Sequence, residues 1–391
     1  MSPVPSRLFT AHPGWPVHGQ RRRSLRGLLS VWRRDVKGEP QTILLAHGSG
    51  GQLSHELVER VFVRHFDSSI LAELNDAAII EFGGFNFHVP GSTNLQPETD
   101  NLKLAFTTDS YVIQPLFFPG GDIGKLAVCG TVNDLAVAGA EPRYLSAGFI
   151  IEEGLPLETL ERVVVSMAET ARAAGVQIVT GDTKVVNHGA ADGLFINTAG
   201  VGVVPPGVHL SPSNLRPGDL ILINGTIGDH GMAVMMQREG MEFGSSLVSD
   251  CAPLNGLIAD LLAACPGAVH CMRDPTRGGL VTTLNEWATA AGAGIEIEET
   301  AIPVREEVRA ACEVLGLDPL YVANEGKVIV AVAPQAADQA LAALQAHPLG
   351  REAALIGQVT DEHPGRVVLH TPLGARRVAE MLVGAQLPRI C

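Results

Sequence analysis

The spacing of apolar residues predicts regular secondary structure from Thr42 onward. A helix is predicted over 55–66, where apolar positions recur every three or four residues and share one face. A second amphipathic helix is predicted over 157–174, with Pro156 before its start and Gly175 after its end. The other elements predicted for the first half are a helix of small residues at 125–138 and strands at 43–46, 79–82, 104–107, 144–150, 176–180 and 194–204.

The second half alternates strands and helices more regularly, and a segment rich in Pro and Gly at 205–218 has the composition of a linker. The predicted strands are 220–224, 294–298, 327–332, 354–359 and 366–370, and the predicted helices are 230–239, 254–264, 279–291, 304–315 and 336–346. The sequence therefore predicts an α+β fold. It has an N-terminal α+β domain at 43–207, a layered C-terminal α/β domain at 216–383 and a flexible tail without periodicity at 384–391.

The first 42 residues differ from the rest of the chain. They hold eight Lys or Arg and two acidic residues, a net charge of +6, whereas the whole chain carries −14 and the remainder therefore −20. An export signal is disfavoured, because Arg33 and Arg34 interrupt the apolar stretch that it needs. A disordered extension is the favoured interpretation. The charge cluster leaves open, as the alternative, an arm that binds nucleic acid or a membrane surface.

The composition of the body excludes several classes of protein. At 46% hydrophobic and 18% charged residues the chain is that of a globular protein, and no apolar run approaches the ~18 residues of a membrane span. The negative body and an aromatic content of 5% argue against a nucleic-acid partner. Six cysteines lie far apart without a CxxC pair, which favours a reduced, cytoplasmic protein.

A glycine-rich loop follows the first predicted strand and precedes the first predicted helix. Consecutive backbone N–H groups in such a loop can hold phosphate oxygens, and glycine allows their close approach. The residues concerned are Gly48, Ser49, Gly50 and Gly51. A plain glycine-rich turn is the alternative, because no Gly-Lys-Ser/Thr follows.

Aspartate recurs beside Gly, Thr or Asn at the ends of predicted strands. Any one of these aspartates is explained by turn or helix-cap chemistry. Five together make a site for Mg²⁺ and nucleotide phosphates an equal explanation, because carboxylates are the ligands that Mg²⁺ prefers. The five segments are 75–77, 107–110, 133–134, 180–184 and 273–279.

The last residue of the chain is a cysteine. Arg389 favours its thiolate, whereas the adjacent α-carboxylate opposes it. A tail beginning at Gly384 reaches about 25 Å when extended, so this thiol could be loaded in one place and carried to another. The alternative is an accidental terminal residue with a free thiol.

These segments resemble the HypE family of hydrogenase maturation proteins over residues 43–391. The matching segments are AHGSGGQ (46–52), a long stretch at 106–146, GFIIEEGLP (148–156), VTGDTKVV (179–186), NGTIGDHG (224–231), RDPTRGGL (273–280), LGLDPLYVANEGK (315–327) and the terminal PRIC (388–391). Looser relatives in the same superfamily share the Asp and Gly pattern but lack the PRIC end. Residues 1–42 depart from the family.

The resemblance implies a fold and an activity. The N-terminal sheet is expected to pair with its copy in a homodimer, and ATP is expected at the domain boundary. A partner, HypF, would place a carbamoyl group on the terminal cysteine. The chain would then use ATP to dehydrate the S-carboxamide to an S-cyanide, and a HypC–HypD complex would receive the cyano group for the iron of NiFe hydrogenase.

The resemblance also implies roles for individual residues. The metal ligands would be Asp76, Asp134 and Asp274. The nucleotide would be bound by Gly48, Ser49, Gly50, Gly51, Asp109, Asn133, Gly181, Asp182 and Thr183. Cys391 would carry the reacting group. The reaction also needs a base that removes the amide protons, and our own candidates for it are Lys184 and Glu325, with Asn285-Glu286 as a further one.

Two other classes of function remain open. A small-molecule kinase or synthetase of the same superfamily would not need a thiol tail, so its turnover would survive removal of Cys391. A non-catalytic carbamoyl carrier would show no ATP hydrolysis linked to modification of that cysteine. Selenophosphate synthesis is disfavoured, because no cysteine lies near the 47–51 loop.

Overall fold

A computed structural model describes residues 43–48, 51–66, 68–82, 102–240, 247–384, 387 and 389–391. The basic segment 1–42, predicted to be disordered, lies outside these residues, as do Ser49 and Gly50 of the glycine-rich loop. The predicted strand at 43–46 is wrong, because the chain forms a 3₁₀ turn at Leu45–Gly48. Helix α1 (Gln52–Leu57) continues through a π-helical stretch, Val58–Val63, into α2 (Arg64–Phe66).

The first half is built on a five-stranded sheet of order β1-β2-β7-β5-β6 in the described residues. Its strands are β1 (Ala78–Phe82), β2 (Leu102–Tyr111), β5 (Glu141–Glu152), β6 (Gln177–Val186) and β7 (Leu194–Val204), and β3 (Phe117–Phe118) pairs with β4 (Gly121–Asp122) in a separate hairpin. Neighbouring strands of the sheet are antiparallel except β5 and β6, which are parallel.

Two helices pack on one face of this sheet. Helix α3 (Ile123–Val137) begins at Asp122, whose carboxylate accepts hydrogen bonds from the first backbone N–H groups (Gly124 N, 2.7 Å). Its small residues allow it to be buried almost throughout. Helix α4 (Leu157–Ala174) covers α3 with its apolar face and ends at Gly175, whose φ of 71° suits glycine. Both helices confirm the predicted elements.

The second half is a seven-stranded sheet of order β14-β13-β10-β12-β8-β11-β9 in the described residues. The strands are β8 (Leu220–Ile223), β9 (Val269–Arg273), β10 (Gly294–Glu298), β11 (Ile329–Val332), β12 (Ala354–Thr360), β13 (Val367–His370) and β14 (Arg376–Val378). The helices are α5 (Asp229–Glu239), α6 (Asn255–Ala264), α7 (Gly279–Ala291), α8 (Glu306–Leu315) and α9 (Ala337–Ala346). No described helix is long and apolar enough to cross a membrane.

Helices cover both faces of the second sheet. Side chains alternate along β11: Ile329 packs in a cluster with Trp287 of α7, and Val330 packs in another with Leu257 of α6 and Leu344 of α9. All residues of β11 are therefore buried, which is the pattern of a central strand with helices on both sides. The prediction of a layered C-terminal half is confirmed.

Helix α3 joins the two halves of the molecule. Residues 44–391 form one compact unit. Ala136 and Val137, near the end of α3, pack in the same cluster as α6 and α9 of the second half. The C-terminal residues Ile390 and Cys391 pack in the cluster that surrounds the rest of α3. This junction between the halves holds the candidate site.

Candidate active site

Three aspartates from distant parts of the chain meet at the junction of the two halves. Asp76 precedes β1, Asp134 lies in the last turn of α3, and Asp274 follows β9. One carboxylate oxygen of each lies within 4.8 Å of the other two. The fold thus brings together the three residues that the resemblance implied as metal ligands.

Burial and mutual repulsion oppose ionisation of all three carboxylates at once. Burial raises the pKa of Asp134 well above its ordinary value, and Asp274 and Asp76 raise it further. Burial, followed by the charge of Asp76, raises the pKa of Asp274 to about 7. A cation removes this repulsion, and three carboxylate oxygens are a donor set that suits Mg²⁺. The residues therefore fit a divalent cation.

The raised pKa of Asp274 predicts a dependence of stability on pH in the metal-free protein. A carboxyl whose pKa rises from 3.8 to about 7 on folding stabilises the protein at low pH and loses this contribution as the pH rises through 7. Asp274→Asn, which cannot ionise, should therefore be more stable than the parent near pH 8. This difference in unfolding free energy should shrink by about 2 kcal/mol towards pH 5.5 in denaturant titrations with chelator. A constant difference would mean that Asp274 is ionised in the folded, metal-free protein.

A half-buried arginine links the aspartate cluster to helix α1. Arg273 contacts Asp76 (Nη2 to Oδ1, 2.9 Å) and Glu286 of α7 (Nη1 to Oε2, 2.7 Å). The other oxygen of Glu286 lies 2.7 Å from Nε2 of His55. Burial alone would raise the pKa of Glu286, but Arg273 and His55 hold it below its ordinary value. The interpretation of Glu286 as a base is wrong, because the group is engaged in ion pairs and is a weak base.

The aspartates lie in a cavity of about 180 Å³ between the two halves. It is lined by Asp76, Thr107, Thr108, Asp109, Gly130, Asp134, Arg273, Asp274, Thr276, Arg277, Glu325 and Cys391. A larger open groove of about 660 Å³ runs between the β3–β4 hairpin and α4, but it contains none of these groups. The smaller cavity is therefore the candidate active site.

The terminal cysteine is buried at this cavity. Cys391 is 9% exposed and the preceding Ile390 is 3% exposed. Burial raises the pKa of the Cys391 thiol to about 12; Arg277 opposes this shift, and Glu325 adds to it. The docked thiol is therefore neutral and a poor nucleophile. The predicted tail has neither helix nor strand in its described residues, and the structure shows it docked.

Glu325 lies beside the docked thiol. It is buried, and its Oε1 has no hydrogen-bond partner in the described part of the chain. Burial, followed by the charges of Cys251 and Asp274, raises its pKa well above the ordinary value. A carboxylate with a raised pKa is a stronger base once ionised, so the environment of Glu325 suits the predicted role.

Asn133 positions Glu325. Its side-chain amide donates to the backbone carbonyls of Glu325 (3.2 Å) and Ala252 (3.1 Å), and its oxygen accepts from the backbone N–H of Leu254 (2.8 Å). These bonds occupy both N–H groups of the amide and one lone pair of its oxygen with the backbone of the second half. In this structure Asn133 holds the Glu325 segment against α3, and its role in nucleotide binding stays a prediction.

The predicted residues on β6 do not reach the cavity within one chain. Strand β6 is the edge of the sheet opposite β1, and β7 and β5 separate it from β2. Asp182 and Lys184 are exposed and pair with each other (2.8 Å), and Thr183 is exposed between them. At Gly181 a Cβ would come within 2.1 Å of the backbone carbonyl of Ala147, so close strand packing explains this glycine. None of these residues lines the cavity of the described chain, and their contact with a nucleotide stays a prediction.

The described glycines of the glycine-rich loop do not line the cavity either. Gly51 packs against the backbone of Leu382, where a Cβ would lie 2.5 Å from the carbonyl oxygen. Gln52 N donates to that same carbonyl (3.0 Å). Gly48 is exposed, with nothing within 4 Å of an added Cβ. Close packing explains Gly51 in this structure, and the role of the loop with phosphates stays a prediction.

Sequence reasoning missed polar residues that complete the cavity. The hydroxyl of Thr107 lies 2.9 Å from a carboxylate oxygen of Asp134 and 2.8 Å from the backbone carbonyl of Asp76. Arg277 reaches to 4.0 Å from the carboxylate of Asp109. The signal for Arg277 was present, because its motif places two basic residues beside an aspartate, in an acidic chain.

Comparisons with known proteins agree on one family. The family model described as AIR synthase related protein, N-terminal domain, matches residues 75–204, and its C-terminal counterpart matches 216–370. The carbamoyl dehydratase HypE of Azotobacter vinelandii is 53% identical over 350 residues, which cover 90% of this chain and 97% of that protein.

Solved structures agree. A structure of HypE in complex with ATP has a TM-score of 0.71 and 50% identity and covers 90% of this chain and 100% of that one. A HypE–HypF complex structure has a TM-score of 0.76 and 47% identity, covering 83% and 99% of the two chains. With these identities over nearly the full length of its relatives, the chain belongs to the HypE family of AIR synthase related proteins.

Proposed function

We propose that the protein is a carbamoyl dehydratase that uses ATP to convert an S-carboxamide on Cys391 into an S-cyanide. The observation that carries this proposal is the burial of the terminal thiol in the same cavity as three clustered aspartates. The names of relatives at about 50% identity and a relative's complex with ATP support it. The product would supply the cyanide ligand of the NiFe-hydrogenase iron.

The reaction balances without any further reactant. The carboxamide oxygen attacks the terminal phosphorus of ATP, and ADP leaves. Loss of two protons from the nitrogen and of the oxygen as phosphate then forms the nitrile. One carboxamide and one ATP thus give one S-cyanide, ADP and phosphate, and the phosphate retains the oxygen removed from the substrate.

Residues of this chain could supply the metal site, the base and the positive charge that this reaction requires. Asp76, Asp134 and Asp274 would hold Mg²⁺, which supplies charge neutralisation at the phosphates when bound. Glu325, beside the thiol, would take a proton from the substrate nitrogen. Arg277, which lowers the pKa of the Cys391 thiol, would stabilise negative charge that develops near that residue.

The docked tail also implies that Cys391 is loaded elsewhere. A thiol with a pKa of about 12 is almost fully protonated near neutral pH, so it attacks a carbamoyl donor slowly in the cavity. Outside the cavity its pKa returns towards the ordinary range. We therefore propose that the tail swings out to accept the carbamoyl group from HypF and later to give the cyano group to a HypC–HypD complex. A solved HypE–HypF complex supports the first partner.

Mass spectrometry of the C-terminal peptide tests the proposed function. After incubation with HypF, carbamoyl phosphate and ATP, Cys391 should first carry a carbamoyl group and then lose the mass of one water. A small-molecule kinase or synthetase would leave the peptide unmodified while it consumes ATP. A passive carrier would stop at the carbamoyl stage, so either of these results excludes the dehydratase.

We further propose that two copies pair through the open face of the N-terminal sheet. Phe106 and Tyr144 each pair in register with Val201, so the three share a face. Phe106 and Tyr144 are 45% and 53% exposed, and Val201 points away from α3 because its neighbour Gly200 faces that helix. Lys184 lies on this same face, since it pairs with Ile150. A second copy would cover these apolar groups and bring Lys184 near another chain.

A charge placed on this open face should break the dimer. Tyr144→Arg should sediment as a single chain of 41.2 kDa, whereas the parent should show twice that mass. Leu157→Arg is the matched control, because Leu157 is 69% exposed but lies on α4 at the other face. A monomeric parent, or a Tyr144→Arg protein that stays dimeric, would exclude pairing through this face.

We also propose a cytoplasmic location. All six cysteines lie within the described residues, and each is a free thiol without a disulfide partner. The proposed chemistry needs a reduced terminal thiol, and such thiols persist in reducing compartments.

A further inference from the structure

Hydrogen bonds from both halves hold the last residues of the chain. The backbone N–H of Val112, just after β2, donates to Cys391 O (3.2 Å), and Arg389 Nε donates to the carbonyl of Val112 (3.0 Å). From the second half, Arg238 donates to the carbonyl of Arg389 (2.7 Å). The Arg389 side chain is 32% exposed, so water competes for part of this set of bonds.

One contact to the tail is fully buried. Nε2 of His230, in the first turn of α5, lies 3.0 Å from the carbonyl oxygen of Ile390, and His230 is 0% exposed. Phe118 packs edge-on against the imidazole, with ring centroids 5.4 Å apart. Because water does not reach this hydrogen bond, its loss leaves a buried donor without a partner.

The surroundings fix the protonation state of His230. A carbonyl can only accept, so Nε2 carries the hydrogen, and Nδ1 accepts from the hydroxyl of Ser249 (2.8 Å). Burial lowers the pKa of His230, so the ring is neutral near neutral pH. Ser249 is itself held, because its N–H donates to Pro119 O (2.8 Å) and its Oγ accepts from Cys251 N (3.0 Å).

We propose that His230, oriented by Ser249, is the positioning residue that keeps the tail docked by donating a hydrogen bond to the carbonyl of Ile390. The docked fraction of the tail then depends on this bond. When the tail leaves the cavity, the buried N–H of His230 loses its acceptor, so the ring favours the docked position. The consequence for catalysis rests on the proposed function, in which the docked state is the one where the carboxamide is dehydrated.

Alkylation of Cys391 tests the docking role independently of the reaction. The full-length protein is treated with iodoacetamide without nucleotide, and labelling of the C-terminal peptide is followed by mass spectrometry. His230→Ala should be labelled about tenfold faster than the parent, the effect of losing one buried hydrogen bond. His230→Gln should lie nearer the parent, because its side-chain amide can donate to the same carbonyl.

Matched variants distinguish a specific loss of tail docking from a general destabilisation of the fold. His270→Ala removes another largely buried imidazole, bonded to Asp219 (2.8 Å), and should leave Cys391 labelling unchanged. Slow labelling of the interior Cys129 and Cys251 shows that a variant is folded. Should His230→Ala fail this criterion, Ser249→Ala takes its place, with an increase of about threefold expected.

The outcomes distinguish this proposal from the proposed function. In single-turnover dehydration of the carbamoylated protein, His230→Ala should be slower than the parent at saturating ATP, with KM for ATP unchanged and partial rescue in His230→Gln. Parental labelling of folded His230→Ala, or labelling of His230→Gln as fast as that of His230→Ala, overturns the docking role. If Cys391 of His230→Ala is labelled faster while the parent forms no S-cyanide, the docking role of His230 is supported and the proposed dehydratase activity is overturned.

Discussion

Cys391→Ala is expected to reduce S-cyanide formation to background while ATP binding persists. The reacting group would be attached to this sulfur, whereas the aspartates that would hold the metal–nucleotide lie before β1, on α3 and after β9, in segments that the substitution does not change. Cys391→Ser should fail too, because a hydroxyl is essentially un-ionised near neutral pH when the undocked tail must attack a carbamoyl donor. Mass spectrometry of the C-terminal peptide and calorimetric ATP titration measure the two effects.

Control variants make this prediction specific to the terminal sulfur. Cys265→Ala removes a buried thiol that packs with α6 and α9 and does not line the cavity, and product formation should be unchanged. Residues appended after Cys391 should also impair cyanation, because the terminal residue is buried at the cavity, which would have to accommodate them. Cyanation of any interior cysteine in Cys391→Ala would exclude Cys391 as the carrier.

Asp134→Asn and Asp274→Asn are each expected to weaken Mg-ATP binding about 100-fold or more. Removal of a residue that only supports a metal ligand costs 10- to 100-fold, so loss of a ligand itself should cost at least as much. Unfolding would not explain the loss, because removing a charge from the buried cluster relieves repulsion in the metal-free protein. Calorimetry with and without Mg²⁺ gives the affinities.

A buried aspartate outside the cavity provides the matched control. Asp219 is 2% exposed and bonds His270, so Asp219→Asn should lower stability but leave Mg-ATP affinity at the parental value. If Mg-ATP affinity is undiminished in both Asp134→Asn and Asp274→Asn, these aspartates are structural residues and not metal ligands. Other residues of the protein would then have to be the metal ligands.

Much of the fold follows from local sequence. Helix α4 has the predicted bounds at both ends, because its amphipathic spacing, Pro156 and Gly175 act within a few residues. Strand β9 was missed, because the polar His270 and Arg273 break the apolar pattern that marks a buried strand. The predicted strand at 43–46 failed for the converse reason, since a short apolar run does not contain its pairing partner.

The sequence by itself determined the family, and it identified the three aspartates and the terminal cysteine as candidate site residues. Each is carried by residue type within a short motif, and a carboxylate or a thiol keeps its chemistry wherever the chain places it. The tertiary structure decided what these groups can do. It spread the GDTKVV segment along the far edge of the sheet and turned the amide of Asn133 towards the second half. It also buried Cys391 beside Glu325 and placed His230 within hydrogen-bond distance of the preceding carbonyl, that of Ile390. Contacts between residues more than a hundred positions apart depend on how two sheets pack around α3, and local spacing contains no information about that packing.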